Sequence, residues 1–141
     1  MNWTTPPPSD DDKNESQVIF ADVRINLYDV SAVDTVSGQF QAKIGVFCYW
    51  TDPRLKGWPK DKDLPPDLWG PRFRLVNGAG DVSETNVEFA LVDHETGRLK
   101  RCRIYAGTMN CTQKDLINFP FGKYIYCPTK IFVYNANIIT F

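Results

Sequence analysis

The feature that most restricts this chain is a strict alternation of apolar and polar residues. Ala21, Val23, Ile25 and Leu27 alternate with Asp22, Arg24 and Asn26; Phe40, Ala42, Ile44, Val46, Cys48 and Trp50 share one parity, with Gln39, Gln41 and Lys43 on the other. A period of two over such lengths sets one face of a strand on a core and the other in water. Val87 to Val92 and Leu99 to Ala106 read as two further strands, joined by the turn Asp93-His94-Glu95-Thr96-Gly97. A last apolar segment, Ile131 to Phe141, is broken by the turn signal Asn135-Ala136-Asn137. No helical stripe competes with this pattern. The expectation is an all-β fold, an antiparallel β-sandwich of roughly seven or eight strands.

Asp52 to Pro71 carries five prolines and two Lys-Asp pairs. Proline has no donor for a ladder, so an irregular connection is expected there. Residues 1–17, with Pro6-Pro7-Pro8 and Asp10-Asp11-Asp12, read as a loose polar arm, which leaves 18–141 as one β-sandwich domain. A length of 141 residues suits one compact unit with a sizeable core. Sixteen basic residues balance seventeen acidic ones, so charge gives no reason to expect nucleic acid as a partner. No run approaches the ~20 apolar residues of a membrane-spanning helix, and no basic and apolar leader opens the chain. No transmembrane segment and no secretory signal are therefore expected within it. Sequons at Asn2, Asn14 and Asn110 permit a secreted form without requiring one.

The sequence offers little catalytic chemistry. His94 is the single histidine and sits in a polar turn, where a solvated role is the expectation. Paired metal-ligand spacing, a phosphate loop and a nucleophile elbow are all missing, so we expect no enzyme, no metal and no cofactor. Arg98, Lys100, Arg101 and Arg103 form a basic strand that reads as a charged edge discouraging aggregation. Trp3 and Trp58, in proline-rich segments, are candidates for contacts with a protein partner. The four cysteines, Cys48, Cys102, Cys111 and Cys127, allow three full pairings. Cys48 alternates in phase with Ile44 and Trp50, which suits a buried free thiol.

Several motifs together carry a resemblance. Trp50-Thr51-Asp52-Pro53-Arg54-Leu55 resembles the Trp-x-Asp-x-Arg-Leu signature of the extracellular ligand-binding domain of pentameric ligand-gated ion channels, the Cys-loop receptors. Val23 to Asp34 resembles that family's first strand and its Asp-x-Ser-x-Val-Asp turn. Leu68-Trp69-Gly70-Pro71 with Asn77 resembles its Ile-Trp-x-Pro … Asn segment, and Phe119-Pro120-Phe121 followed by Cys127-Pro128 resembles its Phe-Pro-Phe-Asp … Cys loop. The resemblance implies a twisted β-sandwich that packs side by side into rings. It also implies a bridge between Cys111 and Cys127, worth roughly 3 kcal/mol for a loop of this size, and with it an extracellular or lumenal location. Trp50, Asp52, Arg54, Trp69, Pro71, Phe119, Pro120 and Phe121 are expected to serve the scaffold, with Asp52 and Arg54 pairing at the strand end.

The departures from the family bear on function. Gly122 stands where the family has the Asp of its membrane-coupling loop. Val76 and Gly45 stand where it has two aromatics of its amine cage, and Tyr134 is the aromatic that remains. The expected function is therefore a non-catalytic, protein-binding or structural subunit of a larger assembly, contacting other protein subunits. The alternative is a soluble ring-forming ligand-binding protein, a homo-oligomer, with Tyr134 in its site.

Overall fold

A computed structural model describes residues 1–8, 18–34, 36–75 and 78–110, together with the strand backbones at 113–114, 124–125, 131–134 and 137–139. The chain is all-β. Strands β1 (Val18–Asp34), β2 (Gln39–Thr51), β3 (Arg72–Leu75), β4 (Gly78–Asp93), β5 (Arg98–Asn110), β6 (Gln113–Lys114), β7 (Tyr124–Ile125), β8 (Ile131–Tyr134) and β9 (Asn137–Ile139) follow one another, and no α-helix occurs among the described residues. Four of the longest strands make one antiparallel sheet, extended at its edge by β9 in the order β4-β5-β2-β1-β9. The β9 strand runs parallel to the start of β1, through Val18 to Phe20. The β3–β8 and β6–β7 pairs are separate antiparallel two-stranded sheets.

The alternation in β2 explains where the core lies. Phe40, Ala42, Ile44, Val46, Cys48 and Trp50 all point inward and are buried. On β5 the residues opposite them include Leu99, Tyr105 and Met109, which are buried too. Leu55, Leu68 and Phe73 cover this face from outside the main sheet, so β3 and the irregular 52–71 connection close over much of the core. That connection contains only the short 3-10 turn Pro53–Leu55, as its prolines require.

Three expectations need correction. Residues 1–8 are not loose: Trp3 O accepts from Trp69 N at 2.7 Å, and Pro7 is fully buried. Backbone and side-chain contacts inside the 52–71 cover hold them; residues 9–17 lie outside the described residues. The basic strand is not an edge, because β5 is hydrogen-bonded to β4 on one side and β2 on the other. Its register splits the cations between faces, Arg98 and Lys100 outward and Arg101 and Arg103 inward with Leu99 and Tyr105. His94 is half-buried rather than solvated on all sides, since the β4–β5 turn folds back onto the connection. There His94 Nδ1 lies 2.9 Å from Trp58 O, and His94 O accepts from Gly57 N.

Candidate functional site

The Trp-x-Asp-x-Arg-Leu segment forms a clamp at the end of β2. Trp50 is buried, edge-on to Trp69 at 6.5 Å and tilted against Phe89 at 5.5 Å. Its indole N–H has no hydrogen-bond partner among the described residues. Asp52 is fully buried and accepts from Arg54 N, Nε and Nη2, the last at 2.7 Å. Arg54 also donates to Asn2 O and Thr5 O and lies over the Trp3 ring. One guanidinium thus neutralises a buried carboxylate and fastens the N-terminal segment. The Asp52 backbone closes against Gly97, which accepts from Asp52 N. Gly97 has φ +76, and a Cβ there would run into Asp52 O, so only glycine fits.

Trp3 and Trp58 are half-buried against each other, with ring centroids 5.7 Å apart. Trp58 Nε1 donates to Lys62 O, and the Lys62 ammonium sits over its ring. Both tryptophans pack against the core and keep part of their surface exposed. Pro71 is buried, and its carbonyl accepts from Arg101. Tyr134 is placed in β8 opposite Arg72 of β3, its side chain lying outside the described residues. Cys111, Phe119, Pro120, Phe121, Cys127, Asn77, Val76 and Gly122 also lie outside the described residues, and the bridge between the two cysteines with them. Cys48 and Cys102 are free, buried thiols. Burial pushes the Cys48 thiol up to about 12, against a smaller lowering by Arg101.

Gly45 has a structural reason of its own. The Tyr28 ring lies across it on the outer face, and a Cβ at Gly45 would come within 2.7 Å of Tyr28 Cε2. An aromatic could not replace this glycine without expelling Tyr28.

Two features of the surface stand out. The first is β1. Ile25 and Leu27 pair with the buried Val46 and Ile44, and Val30 pairs with the buried Ala42, yet all three are themselves exposed, Leu27 by 51 %. Val33 of the same strand is exposed as well, and so is Val36 in the turn that follows. Among the described strands, none pairs with Ala21 to Val33 on the side away from β2. The sequence signal for these residues was the same alternation that marks β2, which is why they read as core. The second is a cleft of about 630 Å³ on the inner face, where Arg72, Arg101, Arg103, Glu84 and Trp69 meet. Arg101 and Arg103 were legible as a basic pair, whereas Arg72 and Glu84 come from other strands and carried no signal. Burial, and then the adjacent Arg103, hold the Arg101 guanidinium below its ordinary range.

Among the described residues no cluster of His, Cys, Asp and Glu could hold a metal, and no helix is long and apolar enough to cross a membrane. No protein-family model and no curated protein matches the chain.

Proposed function

We propose that this chain is a non-catalytic, protein-binding subunit of a larger assembly, built on a β-sandwich scaffold like that of the Cys-loop receptor ligand-binding domain. The observation that carries this reading is the β1 surface: a long strand with no partner among the described strands on one side of Ala21 to Val33, along which the aliphatic side chains of Ile25, Leu27, Val30 and Val33 are exposed. Edges of this kind, left bare, template association with other chains, and natural proteins cover or charge them. Asp22, Arg24, Asp29 and Asp34 charge the same strand only in part. The Trp50–Asp52–Arg54 clamp supports the scaffold half of the reading, because it uses the signature residues for packing and leaves none of them open to a ligand.

Native mass spectrometry of the complex isolated through a tag on this chain tests the reading. The expected result is a species heavier than the 16.1 kDa chain that collapses to the single chain in Leu27→Lys, with an unchanged melting temperature. A mass of several identical copies arranged as a closed ring would favour the ring-forming ligand-binding alternative. A single 16.1 kDa species for both proteins would contradict the proposal.

A further inference from the structure

The inner-face cleft holds more positive charge than the described residues neutralise. Strand β5 delivers Arg101 and Arg103 in phase with the core residues Leu99 and Tyr105, and β3 brings Arg72 to the rim. Glu84 of β4 pairs with Arg103 at 2.7 Å, and the Arg103 guanidinium lies 5.9 Å from the Phe73 ring centroid. Arg103 Nε is buried with no hydrogen-bond partner among the described residues. Arg101 gives one bond, to the neutral Pro71 carbonyl, and rests over Phe89, with no carboxylate in ion-pair range among the described residues. The Tyr105 hydroxyl, in a residue only 2 % exposed, faces the Arg103 guanidinium, which tempers the rise that burial gives its pKa, and borders the adjoining hollow that Glu84 shares.

Arg54, Arg98 and Lys100 each face a carboxylate one to one. In the cleft three guanidiniums face Glu84, which Arg103 already engages, and Asp67 on the exposed rim. Each guanidinium offers five N–H donors in a planar fork, and among the described residues most of those on Arg72 and Arg101 meet no acceptor. Drawing cations out of water is costly unless an anion completes the set. Guanidinium forks bind carboxylate and phosphate oxygens two at a time, and a half-buried tryptophan supplies a wall for an apolar body.

We propose that this cleft binds a small organic oxyanion, its carboxylate or phosphate head held by Arg72 and Arg101 beside Arg103 and its apolar body laid against Trp69. This site is independent of the β1 surface, and it goes beyond the protein-binding reading.

Calorimetric titration at fixed ionic strength with phenyl phosphate, benzoate and phenol tests it, with tryptophan fluorescence read in parallel. The expected result is saturable binding of one copy of at least one of the two anions and none of phenol. A preference between the two anions identifies the head group. Arg72→Gln, on an exposed residue with no ion pair among the described residues, is expected to weaken binding about tenfold, in keeping with the loss of a charge-assisted pair. Arg101→Gln should weaken it at least as much, and Arg98→Gln on the opposite face should leave it unchanged. Failure of both anions to saturate, equal binding of phenol, or an affinity unaltered in Arg72→Gln would each overturn the proposal.

Discussion

Replacing Arg54 by Met isolates the clamp at the end of β2. The substitution keeps most of the aliphatic volume and removes the guanidinium that neutralises Asp52, whose side chain has no exposed area. What remains is a buried carboxylate with one backbone donor, Arg54 N, since Nε and Nη2 are gone. Breaking a buried pair from one side costs about 3–5 kcal/mol, because the surviving charge is left uncompensated. The bonds to Asn2 O and Thr5 O add little, as both acceptors are exposed and water replaces the donor. With about 2.1 cal/mol/K of unfolding entropy per residue, a chain of this length loses roughly 3–4 °C per kcal/mol, so the expected fall in Tm is about 10–17 °C. Urea unfolding gives the free energy directly, and hydrogen exchange at the Trp69 amide, bonded to Trp3 O, reports release of the N-terminal segment. The double variant Asp52→Asn/Arg54→Met removes both charges and should recover about 2 kcal/mol relative to Arg54→Met. A loss below about 1 kcal/mol in Arg54→Met, the value of an exposed pair, would refute the reasoning. So would a double variant no more stable than the single one.

Gly97→Ala forces a side chain into a left-handed turn against Asp52 O and should cost about 2–3 kcal/mol in urea unfolding, whereas Gly57→Ala, with φ +74 but open space around it, should cost only about 1 kcal/mol. Gly45→Ala should destabilise by about 1–3 kcal/mol through overpacking against Tyr28, and Gly45→Ala combined with Tyr28→Ala should recover part of that loss in thermal melts. The Cys48 thiol, held at about 12 in the folded chain against an ordinary 9.0, keeps its proton where the unfolded chain loses it. Its contribution is therefore complete below pH 9 and declines between pH 9 and 12 by about 1.4 kcal/mol per pH unit; Cys102 and Tyr105, also raised by burial, act in the same direction. Stability measured across pH 8–11 should fall less steeply in Cys48→Ala than in the parent chain.

Much of the fold was legible because one face of β2 is buried along its whole length. Its alternation predicted every inward residue from Phe40 to Trp50, and the prolines of 52–71 predicted the break that follows. The alternation could not separate β1 from β2, since a period of two reports which residues share a face and not whether anything covers that face. Ile25 and Leu27 therefore read as core and stand in water. The length of β4 was hidden for a different reason. Gly78 to Asn86 is rich in glycine and polar residues with poor strand propensity, and the long ladder with β5 overrides it. The cleft was half visible: Arg101 and Arg103 shared a parity with Leu99 and Tyr105, but Arg72 reaches it from β3, whose partner β8 lies far along the chain, and Glu84 from the part of β4 that carried no strand signal. His94 misled because a polar turn looks solvated until the 52–71 connection folds over it.

The central claim, that β1 is a surface for protein association, is tested most directly by site-specific photo-crosslinking. Benzoylphenylalanine placed at Val30, in the middle of the exposed apolar stretch, is compared with the same group at Thr85, an exposed position on β4, each introduced into the chain in its native cell. The expected result is a discrete covalent adduct to a protein from Val30 that disappears when Leu27→Lys is added, and no such adduct from Thr85. Equal, diffuse labelling from both positions, or an adduct from Val30 that survives Leu27→Lys, would contradict the claim.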